Sequence, residues 1–420
     1  MKRLKGVHQS KIARNSLVYT VDFVMQILVL SAYALIISRK LGPSSYGVLA
    51  SITAISVIGS VFAGWGCDQI LIKNVSVAKE SFKKYFGSGL MLILGTYPIL
   101  LAILFLILYF SIPSSKIGTL SLLLFISAEL LFTKVIFFAK ACFVVFERAK
   151  DQLVINIFTT LTKLLFLFLA VNLPDSFTLD NWSAWYISSL FISAFFSVAY
   201  VIHHLGKPLF DNLRSEFVLG MQFCIEQASL ATLKDIDKPI VVAMLGSEQG
   251  GYYAAAFKLV DAASSPVRGA LYAVYIRYFE FNNKVHKEGI DFAFKVMPFL
   301  VFGSLIIGLL TYFFAWTLPY FIGNKYVPAV SMVRQLWLYP LLLGLLGTGV
   351  DLLRGIGHQL LRTYILIVST LLSTPILYLF IVEFNIKGVA YAKIFGLSLT
   401  VLFTWWMIYK IKNHKNLLQV

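Results

Sequence analysis

The sequence predicts an all-α integral membrane protein with twelve transmembrane helices in two six-helix lobes, and three observations carry that reading. Of its 420 residues, 59% are hydrophobic and 13% charged, with a mean hydropathy of +0.80. A chain of that make-up does not stay dissolved in water. Stretches of about 20 apolar residues recur along nearly the whole length, each long enough to cross about 30 Å of hydrocarbon. The third observation is an internal echo. "SRKLGPSSYGVLA", residues 38–50, and "AMLGSEQGGYYAA", residues 243–255, align at a shift of 204 residues, which sets Leu41, Gly42, Gly47 and Ala50 on Leu245, Gly246, Gly251 and Ala254.

The spans are read as helices, because a backbone facing lipid must satisfy its own hydrogen bonds. They fall at about 14–37, 44–66, 86–110, 117–145, 153–173, 182–204, 215–236, 248–276, 292–316, 329–353, 360–382 and 386–410. The first is too long for a signal peptide, carries Asp22 and lacks a small-residue cleavage site, so it is expected to be retained. Between the first and second, Gly42 suits a helix end and Pro43 the first turn of the next helix. The seventh is the least regular, because Lys234, Asp235 and Asp237 crowd its end.

Lys and Arg alternate between loops. They concentrate at the N-terminus, in every second loop after it (Lys73, Lys83, Arg148, Lys207, Arg277 and Arg354 among them) and in the tail with Lys410 and Lys412. By the positive-inside rule both termini are cytoplasmic, which also requires an even number of spans. Much of the +16 net charge is therefore an orientation signal rather than a nucleic-acid footprint. The outer loops are short, the longest being "TLPYFIGNKYVP", so no outer domain is expected to hold chemistry. Cys67, Cys142 and Cys224 are an odd number within or beside spans and read as small apolar residues. The six His show no metal-ligand spacing.

The 204-residue shift also sets Lys73 on Arg277, Lys83 on Lys287 and Trp182 on Ile386, so the register survives at distant anchors. The domains follow: an N-terminal lobe at 1–204, a cytoplasmic linker at 205–214 and a C-terminal lobe at 215–420. Six is even, so both halves enter from the cytoplasm as parallel repeats, with cargo expected where the lobes meet. Two fused repeats favour a monomer.

Ionisable groups inside spans cost roughly 2.5 to 3.5 kcal/mol on insertion scales, and their default reading is functional. In the eighth span Lys258, Asp261, Ser265, Arg268, Tyr272 and Tyr275 recur at steps of three and four, forming one polar stripe. The first span repeats the pattern with Asn15, Tyr19, Asp22 and Gln26, and the seventh with Gln222, Glu226 and Ser229. Such stripes are expected to line a wet interior.

"RKLGPSSYGVLASITAISVIGSVFAGWGCDQILIKNVS" resembles the opening of the Wzx-type polysaccharide flippases of the multidrug/oligosaccharidyl-lipid/polysaccharide (MOP) superfamily, through Leu41, Gly42, Pro43, Tyr46, Gly47, Gly66, Asp68 and Lys73. "DKPIVVAMLGSEQGGYYAAAFKL", "FIGNKYVPAVSMVRQLW" and "IKGVAYAKIFG" are similar to the patterns of that family's later helices, in the right order. The resemblance implies a MATE-like fold, a multi-pass place in the cell's inner (cytoplasmic) membrane, and a non-enzymatic role: moving a polyprenyl-pyrophosphate-linked oligosaccharide between leaflets for O-antigen or capsule synthesis. It also implies membrane lipids and polysaccharide assembly proteins as partners, and no cofactor beyond H⁺ or Na⁺ as a coupling ion. Drug and toxin extruders share the fold, and a membrane glycan polymerase or ligase is equally rich in spans, so both remain alternatives.

A diphosphate cargo asks for fixed cations in a shielded vestibule. Arg268 leads, for its forked donors and permanent charge, followed by Lys258, Lys140, Lys163 and Arg334. Arg268 also suits an ion pair with Asp261, and Lys134 and Lys163 suit helix-to-helix pairing or snorkelling. By the resemblance, Asp22 and Glu226, which coincide at the 204-residue shift, are candidates for ion coupling, with Asp261 next.

Overall fold

The structure is a computed structural model describing residues 2–112, 116–173, 176–211, 216–280 and 286–413, without the side chains of residues 2–24, 27, 28, 273, 276, 277, 279, 280, 286 and 287. All regular elements among the described residues are helical. The chain gathers into two compact units, residues 1–41 with 48–231, and residues 42–47 with 232–420.

The first unit holds α1 (Lys2–Ser60), α2 (Cys67–Val77), α3 (Phe82–Ser111), α4 (Thr119–Ser127), α5 (Lys134–Val145), α6 (Ala149–Asn172), α7 (Leu179–Leu205) and most of α8 (Phe217–Asp235). Small residues let α7 sit deep. Ser183, Ser189, Ser193 and Ser197 are all buried, and their hydroxyls donate to backbone carbonyls three or four residues back, so a polar stripe packs with no group left over. Phe158 on α6 stacks on Phe196 of α7 with ring centroids 3.8 Å apart. The start of α8, which the sequence assigns to the second lobe, clusters here for identifiable reasons. Gly220 approaches so closely that a Cβ on it would lie 2.3 Å from Trp65 O, Trp65 Nε1 donates to Phe217 O at 3.0 Å, and Asn74 donates to Glu216 at 3.1 Å.

The second unit holds α9 (Asp237–Leu245), α10 (Ser247–Ala263), α11 (Ser265–Glu280), α12 (His286–Phe313), α13 (Leu318–Ile322), α14 (Ala329–Gln335), α15 (Tyr339–Gly355), α16 (Gln359–Phe384) and α17 (Ile386–Asn413). Tyr278, Ile290, Leu352, Leu353, Ile365 and Ile408 form a core between α11, α12, α15, α16 and α17.

The echoed turns share a backbone conformation. Gly42 has φ 73° and ψ 172°, interrupting α1 just before Pro43, and Gly246, 204 residues on, has φ 91° and ψ 164° between α9 and α10. A positive φ at these positions suits glycine. The turns also meet each other within the second unit. Ser44 and Ser247 hydroxyls lie 2.8 Å apart, and a Cβ on Gly251 would fall 1.9 Å from Pro43 O, one on Gly47 2.0 Å from Ser247 O. Glycine at 47 and 251 is thus demanded by backbone contact.

Among the described residues eight helices are long and apolar enough to cross a membrane, or nine if α14 and α15, bent by 43°, count as one. The twelve expected spans differ from this count for physical reasons. The first two run together as α1, and the seventh and eighth are each cut into two pieces.

Candidate functional site

Both cuts lie three residues or fewer before a proline. Pro266 has no N–H for Ala262 O, and Ser265 Oγ donates there instead, at 2.5 Å. Arg268 continues the repair. Its Nη2 donates to Asp261 O at 2.5 Å and its Nη1 to Asp261 Oδ1 at 2.7 Å. Lys234 Nζ approaches the other carboxylate oxygen at 3.3 Å. The structure therefore unites the predicted Arg268 and Asp261, as an ion pair that also heals a broken helix. The polar stripe of the eighth span accordingly lies on two helices instead of one. Lys258 is exposed and within electrostatic reach of Asp261.

The seventh span breaks at Ile236, ahead of Pro239. At the break the Lys393 ammonium on α17 reaches both Leu233 O and Lys234 O at 2.8 Å. Its third bond, also 2.8 Å, goes to Asp237 Oδ2. Lys393 thus spends all three donors. Tyr253 adds a hydroxyl to the same carboxylate oxygen, whereas Asp237 Oδ1 is buried with no hydrogen-bond partner among the described residues. It lines a cavity of about 30 Å³ with Ser373, Leu377, Val389 and Lys393, enough for one water. Lys238 pairs with Asp235 across the break.

The first unit holds buried charges of its own. Lys134 on α5 pairs with Asp68 on α2 at 2.9 Å, both largely buried, so Lys134 is a helix-to-helix pair rather than a free cation. Glu129 occupies a π-helical turn, Ala128–Thr133, that joins α4 to α5. It is 6% exposed and accepts a hydrogen bond from the Tyr186 hydroxyl. Lys163, half-buried on α6, lies 5.6 Å from the centre of the Tyr186 ring.

The other predicted residues are dispersed. Lys140 stands over the Phe137 ring at 4.1 Å. Arg334 is exposed beside Tyr312 and lines an open cleft of about 500 Å³ with Trp316, Tyr320 and Asn324. Glu226 is buried on α8 next to Ser229, one turn below it. The Asp22 side chain lies outside the described residues. Sequence reasoning passed over Glu129, Asp237 and Lys393. Their signal was present as charges within the runs "SAELLF" and "AYAKIFG" and at the end of the seventh span.

Residues 11–280 match the polysaccharide biosynthesis protein family. No curated protein matches this chain in sequence. Solved structures with the same fold include a MATE multidrug transporter, DinF-BH, in complex with R6G (TM-score 0.69, 16% identity, 96% of each chain covered). Another is the inward-facing conformation of a multidrug resistance MATE family transporter of the MOP superfamily (TM-score 0.69, 12% identity, 95% of this chain and 99% of that one). A third is a MATE in the bent conformation (TM-score 0.59, 14% identity, 98% and 97%). The all-helical chain has the MATE-like fold.

Proposed function

Because the chain belongs to the polysaccharide biosynthesis protein family, we propose that it is a flippase carrying a polyprenyl-pyrophosphate-linked oligosaccharide across the cytoplasmic membrane by alternating access. Twelve spans complete this reading, with the two pieces of the seventh, eighth and tenth each joined as one and both termini in the cytoplasm. The observation that carries the cargo class is the sign of the charge held in the spans. In the second unit Lys234, Lys238, Lys258, Arg268 and Lys393 outnumber Asp235, Asp237 and Asp261. In the first, Lys163 and Glu129 are both without an ion pair among the described residues, so the excess lies in the second unit.

A cationic excess within the spans favours an anion such as a diphosphate and opposes a cationic drug, which argues against the extruder alternative. A glycan polymerase or ligase would present a sizeable outer loop, and the longest outer loop of the sequence has about twelve residues. Arg268, Lys258, Lys140, Lys163 and Arg334 are the cations proposed to meet cargo. Asp22, Glu226 and Asp261 are the proposed carriers of a coupling H⁺ or Na⁺, since an ion drives a facing change only by binding its two states differently.

Deleting the gene tests the function. Lipid-linked oligosaccharide should accumulate on the cytoplasmic face of the membrane and clear when the gene is restored. Unchanged distribution of that lipid between leaflets would remove the reading.

A further inference from the structure

Among the described residues of the first unit, Lys163 and Glu129 lie close to one tyrosine and neither enters an ion pair. Lys163 lies in the apolar run of α6, and among the described residues its ammonium makes no hydrogen bond and no ion pair, only the cation–π contact with Tyr186. Glu129 is buried, with the Tyr186 hydroxyl as its hydrogen-bond donor and no ion pair either. Tyr186 therefore contacts both, the acid through its hydroxyl and the base through its ring face. The two charges feel each other without closing a salt bridge.

The local backbone fits a site rather than a brace. Glu129 sits in a π-helical turn, an insertion that costs regular hydrogen bonding and is enriched where function needs a side chain re-aimed. Aromatic rings fix Tyr186 from two sides, Trp182 at 5.7 Å and Phe125 at 5.7 Å, and Tyr33 stands behind Trp182 at 6.1 Å. Tyr33 is within electrostatic reach of Tyr186, and two other charged or titratable groups nearby are engaged elsewhere. Lys134 is paired to Asp68, and Tyr97 on α3 shares a 2.8 Å hydrogen bond with Ser127.

We propose that Glu129 is a proton-binding site linked through Tyr186 to an anion site at Lys163, so that either the Glu129 carboxylate or the diphosphate of the cargo balances the Lys163 charge, but not both at once. This rests on the flippase reading and adds a carboxylate to those considered for coupling. When a proton neutralises Glu129, Lys163 is an uncompensated ammonium out of water and holds a diphosphate. When the proton leaves, the carboxylate balances Lys163 and the anion is released. Linkage makes the effect reciprocal, so anion binding must draw a proton onto Glu129.

The test uses the purified full-length protein and inorganic pyrophosphate as the probe, with binding measured as a function of pH over the range in which the protein stays folded. Pyrophosphate's own protonation is common to all variants and cancels in the comparison. Relative to Glu129→Gln, wild-type affinity should fall by up to about tenfold per pH unit as Glu129 ionises, the limit for one linked proton. Lys163→Gln should lose binding by at least about tenfold. Tyr186→Phe should keep binding and move the midpoint of the pH profile, which covers the case of a Glu129→Gln protein that does not fold. The proposal is overturned if Glu129→Gln and Tyr186→Phe both keep the wild-type pH profile, or if wild type binds no pyrophosphate at any pH. Such a protein that still clears lipid-linked oligosaccharide keeps the proposed function and loses this inference. Proton-linked pyrophosphate binding without any effect on that lipid has the opposite meaning.

Discussion

The two units use buried charge in different ways. In the second, cations gather where helices are broken. Lys393 satisfies Leu233 O, Lys234 O and Asp237, and Arg268 satisfies both the carboxylate and the carbonyl of Asp261. In the first, α6 runs unbroken past Lys163, whose ammonium has nothing to repair. A lysine in a span is thus read by its acceptors. One whose donors all reach freed carbonyls and a carboxylate is part of the frame, and one facing only a ring is available to cargo.

The comparison breaks most directly at Lys393. Replacing it with Met leaves Asp237 as an uncompensated buried charge and removes a donor from two carbonyls, so stability should fall by about 3–5 kcal/mol. Detergent-solubilised thermal unfolding would register this as a large drop in Tm. Adding Asp237→Asn should return part of the loss, because the second change removes the stranded charge. A Lys393→Met protein as stable as wild type would mean that the break in the seventh span is held by something else.

Next in size is the contact between the echoed turns. Gly251→Ala places a methyl 1.9 Å from Pro43 O, a backbone atom that cannot swing away. It should destabilise by about 1–3 kcal/mol. Gly95→Ala on α3, where an added Cβ meets nothing within 4 Å, should be neutral or stabilising by up to about 1 kcal/mol. Equal effects at the two positions would argue against close packing of the turns.

Lys163→Met should have the smallest effect on stability, within about 1 kcal/mol, since it removes a cation–π contact and no salt bridge. Its cost should appear in export instead. A loss as large as that of Lys393→Met would collapse the distinction between frame and site.

Much of the fold was legible in the sequence. The third span, expected at 86–110, is α3 at Phe82–Ser111, and the eleventh, expected at 360–382, is α16 at Gln359–Phe384, because uniform apolar runs of that length have one solution in lipid. The 204-residue echo was legible as glycines, and Gly42 and Gly246 do share a backbone shape. The breaks in the seventh and eighth spans were not, although Pro239 and Pro266 stand beside them. Hydropathy sums apolar residues without asking whether the helix continues, and a proline is tolerated in a membrane helix when a neighbour supplies the missing donor. At Pro266 that neighbour is the adjacent Ser265 hydroxyl, whereas the break of the seventh span is met by Lys393, 160 residues from Leu233. The Arg268–Asp261 pair was visible on one stripe, whereas the Glu129–Tyr186 contact joins residues 57 positions apart and has no local pattern.

The most direct test of the account is transport by the purified protein in liposomes containing a polyprenyl-pyrophosphate-linked oligosaccharide, with the fraction of sugar reachable by an external glycan-modifying enzyme followed over time. Wild type should move the lipid between leaflets faster than protein-free liposomes, Lys163→Gln should move it no faster than they do while retaining near wild-type Tm, and R6G should not be carried. Liposomes whose lipid-linked sugar redistributes no faster with wild-type protein than without it, or that accumulate R6G instead, would contradict the account.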